Sequence, residues 1–298
     1  MSKTKSNWQD DLRQDITNKI IDGLKKGIVP WRKPWSNDPN CGYAVNVVTK
    51  KAYRGVNPLV LELTAMSAGY TSRYWGSYKQ FASIGGQVRK GEHGTTVVFS
   101  TPLEVDDPKN KDKKKKIWLL RYYTVFNLAQ VDGEKLDHLR PAKPDPNVVI
   151  QVLPNWEPAD VAIKATGAKI SYGGNRAFYS RESDSVQIPN REQFHSIEEW
   201  YSTHFHEIGG HWTEIRRNWK GSYAMGEIIA EMTSCFIAHA LNVPDHNDIE
   251  NHNAYLATWL KEMESDSKWI FKASQEAGKA TDLFLSFSQK NSHQEDEN

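Results

Sequence analysis

The chain has 298 residues, 38% hydrophobic and 25% charged; this excludes a disordered or collagen-like polymer, and at about 150 residues per domain it has length for two. No apolar run reaches the roughly 18 residues of a membrane-spanning helix and Met1–Asp10 carries no apolar export stretch, so a cytoplasmic protein without a membrane partner is expected. Cys41 and Cys235 match no paired metal or redox spacing and read as reduced thiols.

The net charge of +1 hides a division. Residues 1–140 carry 24 Lys and Arg against 14 Asp and Glu, a net +10, while the remainder carries 14 against 23, a net −9. A basic half of this kind suits a polyanionic partner. The break falls among Pro141, Pro144, Pro146, Pro154 and Pro158, which interrupt helix and strand alike. The expected organisation is a domain at 1–140, a linker at 141–158, a second domain at 159–288 and a disordered polar tail at 289–298.

In chain order, Leu12, Ile16, Ile20, Ile21 and Leu24 have the spacing of an amphipathic helix over Asp10–Lys26, with Gly27 as its cap. The segment Pro30-Trp31-Arg32-Lys33-Pro34-Trp35 then interleaves cations with tryptophans. It reads either as a base-stacking platform for a single strand or as two core tryptophans with solvated cations. Arg73-Tyr74-Trp75, with Lys79 following, repeats the mixture, and Gly85–Gly94 adds Arg89 and Lys90 in a glycine-bounded turn. Three such clusters favour nucleic-acid binding through stacking and phosphate contacts, since no helix-turn-helix, zinc-finger or RNP signature is present. Strands are expected at Thr95–Ser100 and Ile117–Asn127, with Asp106–Lys116 as a solvated hairpin tip.

The acidic half opens with strands expected at Lys169–Tyr172, Ala177–Tyr179 and Ser185–Ile188, the last placed as an edge that would align an extended peptide. His206-Glu207-Ile208-Gly209-Gly210-His211 follows. Zincin peptidases use H-E-x-x-H because a separation of four puts two imidazoles on one helical face around Zn2+, with Glu as base toward the bound water. Here the separation is five. On a regular α-helix that advances about 500°, roughly 140° from eclipsed, so both histidines reach one ion only across a π-type bulge, which Gly209-Gly210 would admit. His204 lies about 10 Å along the axis from His211, too far to share its ion. Glu227 and Glu231 in Gly226-Glu227-Ile228-Ile229-Ala230-Glu231 supply a third ligand and an acid that fixes a ligand imidazole. The longer H-E-x-x-G-H motif resembles that of the dipeptidyl peptidase III family. Downstream, Asn251–Tyr255 opens a helix toward Lys272, from which His252 or Tyr255 could stabilise an oxyanion.

Together these segments resemble the ArdC-type antirestriction proteins of conjugative plasmids, and the TraC-type primases that share their N-terminal module. The resemblance is carried by Val29–Trp35, Gly85-Gly86 with Val88–Glu92, Tyr123–Asn127, Gly173–Ala177, His206-Glu207 with His211-Trp212-Thr213, and Ala254-Tyr255. It implies an α+β chain, with a basic N-terminal DNA-binding domain joined to a C-terminal zincin-like domain built from a small antiparallel sheet and metal-binding helices. It further implies protection of incoming plasmid DNA from host restriction. The family motif is usually H-E-x-x-H, and Gly226 stands where many relatives carry a second Glu.

The expected roles are Glu207 as general base with His252 and Tyr255 assisting; His206, His211 and Glu227 on Zn2+ or another divalent ion such as Mn2+; and Glu231 behind a ligand. DNA contacts are expected from Trp31, Arg32, Lys33, Trp35, Arg73, Tyr74, Trp75, Lys79, Arg89 and Lys90. The expected partners are single-stranded DNA, duplex DNA more weakly, and a protein substrate or host restriction enzyme. The alternative is a non-catalytic protein that coats DNA or occludes the restriction enzyme, its metal serving stability alone.

Overall fold

The spacing of apolar residues near the N-terminus closes into α1 (Trp8–Lys25), which ends where Gly27 takes a φ of 77°. The computed structural model describes residues 8–31, 40–41, 43–107, 110–141, 156–243 and 253–295. Most of the expected linker and residues Arg32, Lys33, Trp35 and His252 lie outside them.

After α1 come β1 (Val45–Asn46), α2 (Asn57–Ala68), β2 (Tyr74–Gly76), α3 (Tyr78–Ser83), β3 (Gln87–Val88), β4 (Thr95–Asp107), β5 (Asn110–Asn127) and β6 (Val131–Asp132). A four-stranded sheet runs β1-β2-β5-β4, and β3 pairs with β6. The expected hairpin tip at Asp106–Lys116 is mostly strand instead, because β4 and β5 stay in register from Thr95↔Val125 to Asp106↔Lys114. A two-stranded antiparallel ribbon can face water, so a charged sequence is compatible with the pairing.

The second half contains α4 (Glu157–Ala165), β7 (Lys169–Tyr172), β8 (Phe178–Ser180), β9 (Ser185–Ile188), α5 (Ile197–His204), a π-helical segment (Phe205–Trp212), α6 (Thr213–Arg216), α7 (Tyr223–Ala240), α8 (Asn253–Ser265) and α9 (Trp269–Glu295). Its sheet has the order β7-β9-β8. Two expectations change here. The sheet is mixed, since β9 pairs parallel with β7 and antiparallel with β8. The edge is therefore β8, with β9 central, because the tight β8–β9 turn, with Asp184 at φ 45°, folds β9 back between its two predecessors. The tail expected to be disordered from 289 continues α9 as far as Glu295.

The largest apolar cluster draws on both halves. Ile16, Ile20 and Leu24 of α1, Trp31, Leu59 of α2, Val98 of β4 and Leu120 of β5 pack with Ile228, Ile229 and Met232 of α7, Trp259 of α8 and Ile270 of α9. At about 1.5–3 kcal/mol per large side chain buried, this shared core ties the halves together more firmly than a linker would. A second cluster, with Val186, Tyr201, Phe205, Ile208, Trp212 and Phe284, backs the π segment. Among the described residues no helix is long and apolar enough to cross a membrane.

Candidate metal centre

His206 and His211 share one side of their helix because the backbone between them is wound as a π-helix over Phe205–Trp212. Widening the turn to an i→i+5 pattern lets a separation of five do what a separation of four does on an α-helix. The ring centroids lie 5.0 Å apart. Thr213 supports the distortion, its hydroxyl donating to the carbonyls of Gly209 and Gly210 at 2.5 and 3.0 Å. The glycines also let the segment approach α7: a Cβ at Gly210 would collide with the Cα and Cβ of Ala230, and one at Gly209 with Ile237.

That approach brings the carboxylate of Glu227 to both imidazoles. His206 Nε2 is 3.7 Å from Glu227 Oε2, and His211 Nε2 is 3.7 Å from Oε1. One ligand atom from each of the three residues lies within 4.8 Å of the other two, a set that one ion can bridge. Two imidazoles and a carboxylate suit a borderline transition metal and match the catalytic pattern of three protein ligands with one open position.

The surrounding carboxylates set the charge. Burial alone would push the His206 imidazolium down, but Glu227 and Glu231, with Glu207 nearby, outweigh it and hold the ring up at about 10. Burial likewise acts to raise Glu227, and the two imidazoles overcome it to keep the carboxyl below its ordinary range. The pocket therefore favours positive charge, which a cation can supply. Glu231 Oε2 stands 3.8 Å from His206 Nδ1, beyond hydrogen-bond length.

Glu214, which the motif did not single out, takes the corresponding place behind His211. Its Oε1 accepts from His211 Nδ1 at 3.1 Å, and Oε2 pairs with Arg181 of the β8–β9 turn. A Cβ at Gly226 would sit 3.3 Å from Glu214 Oε1, so Glu214 fills the space into which a longer residue at 226 would grow.

His206, His211 and Glu227 open into a cleft of about 550 Å3 lined also by Glu207, Phe178, Arg181, Trp219, Tyr223 and Tyr255. Tyr255 donates to or accepts from the hydroxyl of Tyr223 at 3.0 Å. Tyr223 was not legible either. The Tyr255 hydroxyl first, then partial burial and the Glu227 carboxylate, hold its phenol well above its ordinary value, so it remains a proton donor.

The residues expected at DNA scatter. Trp31 and Trp75 are both 0% exposed: Trp31 packs edge-on to Trp259, and Trp75, mid-sheet on β2, packs with Leu61, Val97 and Val125. Neither can stack on a base: strand alternation turns Trp75 into the core, and Trp31, in the turn after α1, is buried in the shared apolar cluster. Tyr74 is half-buried beneath the Lys50 ammonium, and Arg73 is half-buried. Arg89 is exposed but engages Glu92, Asp132 and the Ala129 carbonyl, whereas Lys79 and Lys90 lie exposed.

Comparison with known proteins places this geometry among relatives. Residues 10–126 match the model of the N-terminal domain of anti-restriction factor ArdC, and residues 157–276 that of a zincin-like metallopeptidase. The metal-free crystal structure of antirestriction ArdC from plasmid R388 is 36% identical and covers 94% of this chain and 98% of its own, with a TM-score of 0.75. Its Mn(II)-bound structure gives 34% identity, 93% and 98% coverage and a TM-score of 0.72. The uncharacterized protein y4eC of Sinorhizobium fredii is 34% identical, with 91% of each chain covered. A DNA primase TraC of Escherichia coli is 35% identical over 92% of this chain, which spans only 20% of that protein's length. With both halves matched and two relatives aligned over nearly their whole lengths, the chain belongs to the ArdC family of antirestriction proteins and carries a zincin-like second domain.

Proposed function

We propose that this chain protects incoming plasmid DNA from host restriction in the cytoplasm, with residues 1–140 binding single-stranded DNA and residues 159–288 acting as a metal-dependent peptidase. The single observation that carries the peptidase reading is the π-helical turn, which gathers His206, His211 and Glu227 within the reach of one ion. The Mn(II)-bound R388 structure supports a divalent cation as cofactor, and the donor set of His206, His211 and Glu227 suits Zn2+ as well.

When bound, such a cation polarises a water and a peptide carbonyl. Glu207, 8% exposed and lining the cleft, takes the proton of the attacking water and returns it to the leaving amine. Tyr255, with Tyr223 beside it, and His252 are assigned to the developing oxyanion. Glu214 orients the His211 imidazole, and Glu231, 3.8 Å from His206 Nδ1, is assigned the same place behind His206 once that ring turns toward it. The free edge of β8, with Phe178 in the cleft wall, offers backbone groups to an extended peptide. The protein substrate would be a host factor such as a restriction enzyme. On the DNA side, the net +10 of residues 1–140 supports phosphate binding, with duplex bound more weakly than a single strand.

The test is Glu207→Ala. It should abolish peptide cleavage with metal content unchanged, and protection in cells should fall with it. Full protection by the variant would exclude catalysis as the mechanism and leave the metal a stabilising role in a DNA-coating protein.

A further inference from the structure

With Trp31 and Trp75 in the core, a single strand bound by the basic half does not stack on these two rings. Among the described residues the β4–β5 ribbon presents the rings. Cross-strand partners share a face, and alternate residues along a strand share it too. Val97 and Val125 are the buried end of one ribbon face, packed against Trp75. The neighbouring positions on that face, Phe99, Arg121 and Tyr123, are exposed, Phe99 by 44% and Tyr123 by 48%. Phe99 pairs in register with Arg121, and the Phe99 and Tyr123 rings meet at 5.3 Å with planes 77° apart.

Two exposed rings around a guanidinium are poorly explained by packing, and among the described residues no carboxylate pairs with Arg121. Nearly perpendicular rings cannot both lie parallel to bases in one continuous stack, but they suit bases splayed from a single strand, each with a free face. Further along, β5 carries the lysine run Lys113–Lys116, of which Lys114 is exposed on the opposite face of the ribbon. Rings beside an arginine, in a half with net charge +10, fit a polyanion with accessible bases better than an apolar protein surface.

We propose that Phe99, Arg121 and Tyr123 form the surface on which single-stranded DNA lies, bases stacking on the two rings while a phosphate meets Arg121. This rests on the single-strand reading above and gives that reading its location. The contact carries no base code, so it serves any sequence entering the cell.

The experiment measures binding of the full-length protein to a fluorescent oligo(dT) at fixed salt, and to a strand of equal length with abasic sites. Phe99→Ala and Tyr123→Ala should each weaken oligo(dT) binding about tenfold or more while leaving abasic binding unchanged. Tyr123→Phe, which keeps the ring, should bind as the native chain does, as should Tyr78→Ala, an exposed ring off the ribbon. Arg121→Gln should lower the salt slope by about one.

Native affinity in both alanine variants overturns the proposal, as does an equal loss on both strands, which would leave charge alone. Native DNA affinity with lost protection in cells would assign the face to a protein partner and also overturns it. A native chain that binds no single strand would instead sink the single-strand reading itself, before any variant is compared.

Discussion

Glu214 lies one turn beyond His211 and its Oε1 accepts the His211 Nδ1–H at 3.1 Å, while its other oxygen pairs with Arg181. This fixes the tautomer in which Nε2 faces Glu227 with a lone pair. A carboxylate behind a ligand imidazole is typically worth 10–100-fold in metal affinity. Glu214→Ala should therefore weaken binding of Zn2+ or Mn2+ by about that factor, read by competition with a chelator, and Arg181→Ala by less. Native affinity in Glu214→Ala would show that the ring is held by packing alone.

Gly210 stands where the π segment meets α7, and its missing Cβ leaves room for Ala230. Gly210→Ala should destabilise the fold by about 1–3 kcal/mol through overpacking and should loosen metal binding, because the segment must move away from Glu227. Gly278 on α9 has nothing within 4 Å of its Cβ position. Gly278→Ala should instead stabilise by up to about 1 kcal/mol through helix propensity. Urea titration of the two variants checks both signs, and equal shifts would refute the close-approach argument.

The π turn was legible because the alternative was geometrically excluded: five residues cannot bring two rings to one ion on a regular helix. The second-half strands were equally readable, since alternation and glycine turns marked them. The tryptophans were not, because Arg-Tyr-Trp reads the same whether Trp75 faces a base or the core; only the position of β2 between β1 and β5 decides. Glu214 was hidden by the same π turn, which shifts the helical phase beyond His211. Tyr223 meets Tyr255 across a gap of 32 residues that leaves no local signal.

On α7, Glu227 and Glu231 face the metal site, while Ile228, Ile229 and Met232 pack with α1, Trp31 and the ribbon. Ion binding should therefore stabilise both halves as one unit, by about 4 kcal/mol at a thousand times the dissociation constant. Chelation should shift a single melting transition seen equally by circular dichroism and by exchange protection of α1. Separate transitions, with only the second half responding to chelator, would show that the shared core does not couple them.

His204 is 1% exposed, its Nδ1–H donating to the Trp200 carbonyl at 2.8 Å. Burial pushes its imidazolium down to about 4, against an ordinary 6.5. Between these values the unfolded chain binds the proton and the folded chain does not, so the ring's contribution is complete above pH 6.5 and is lost as the pH falls toward 4. The loss is about 3 kcal/mol. In the metal-free protein His206 acts in a separate window, because a ring held at about 10 favours the fold fully below pH 6.5 and gives that up only as the pH rises beyond it. The difference between the native chain and His204→Asn, whose amide can still donate to Trp200, isolates the His204 limb. Urea midpoints from pH 4 to 7 should show the native chain losing more stability on acidification than the variant. Parallel curves would mean that the buried ring is protonated in the fold, with the Tyr172 hydroxyl, 3.4 Å from Nε2, turned to accept from it.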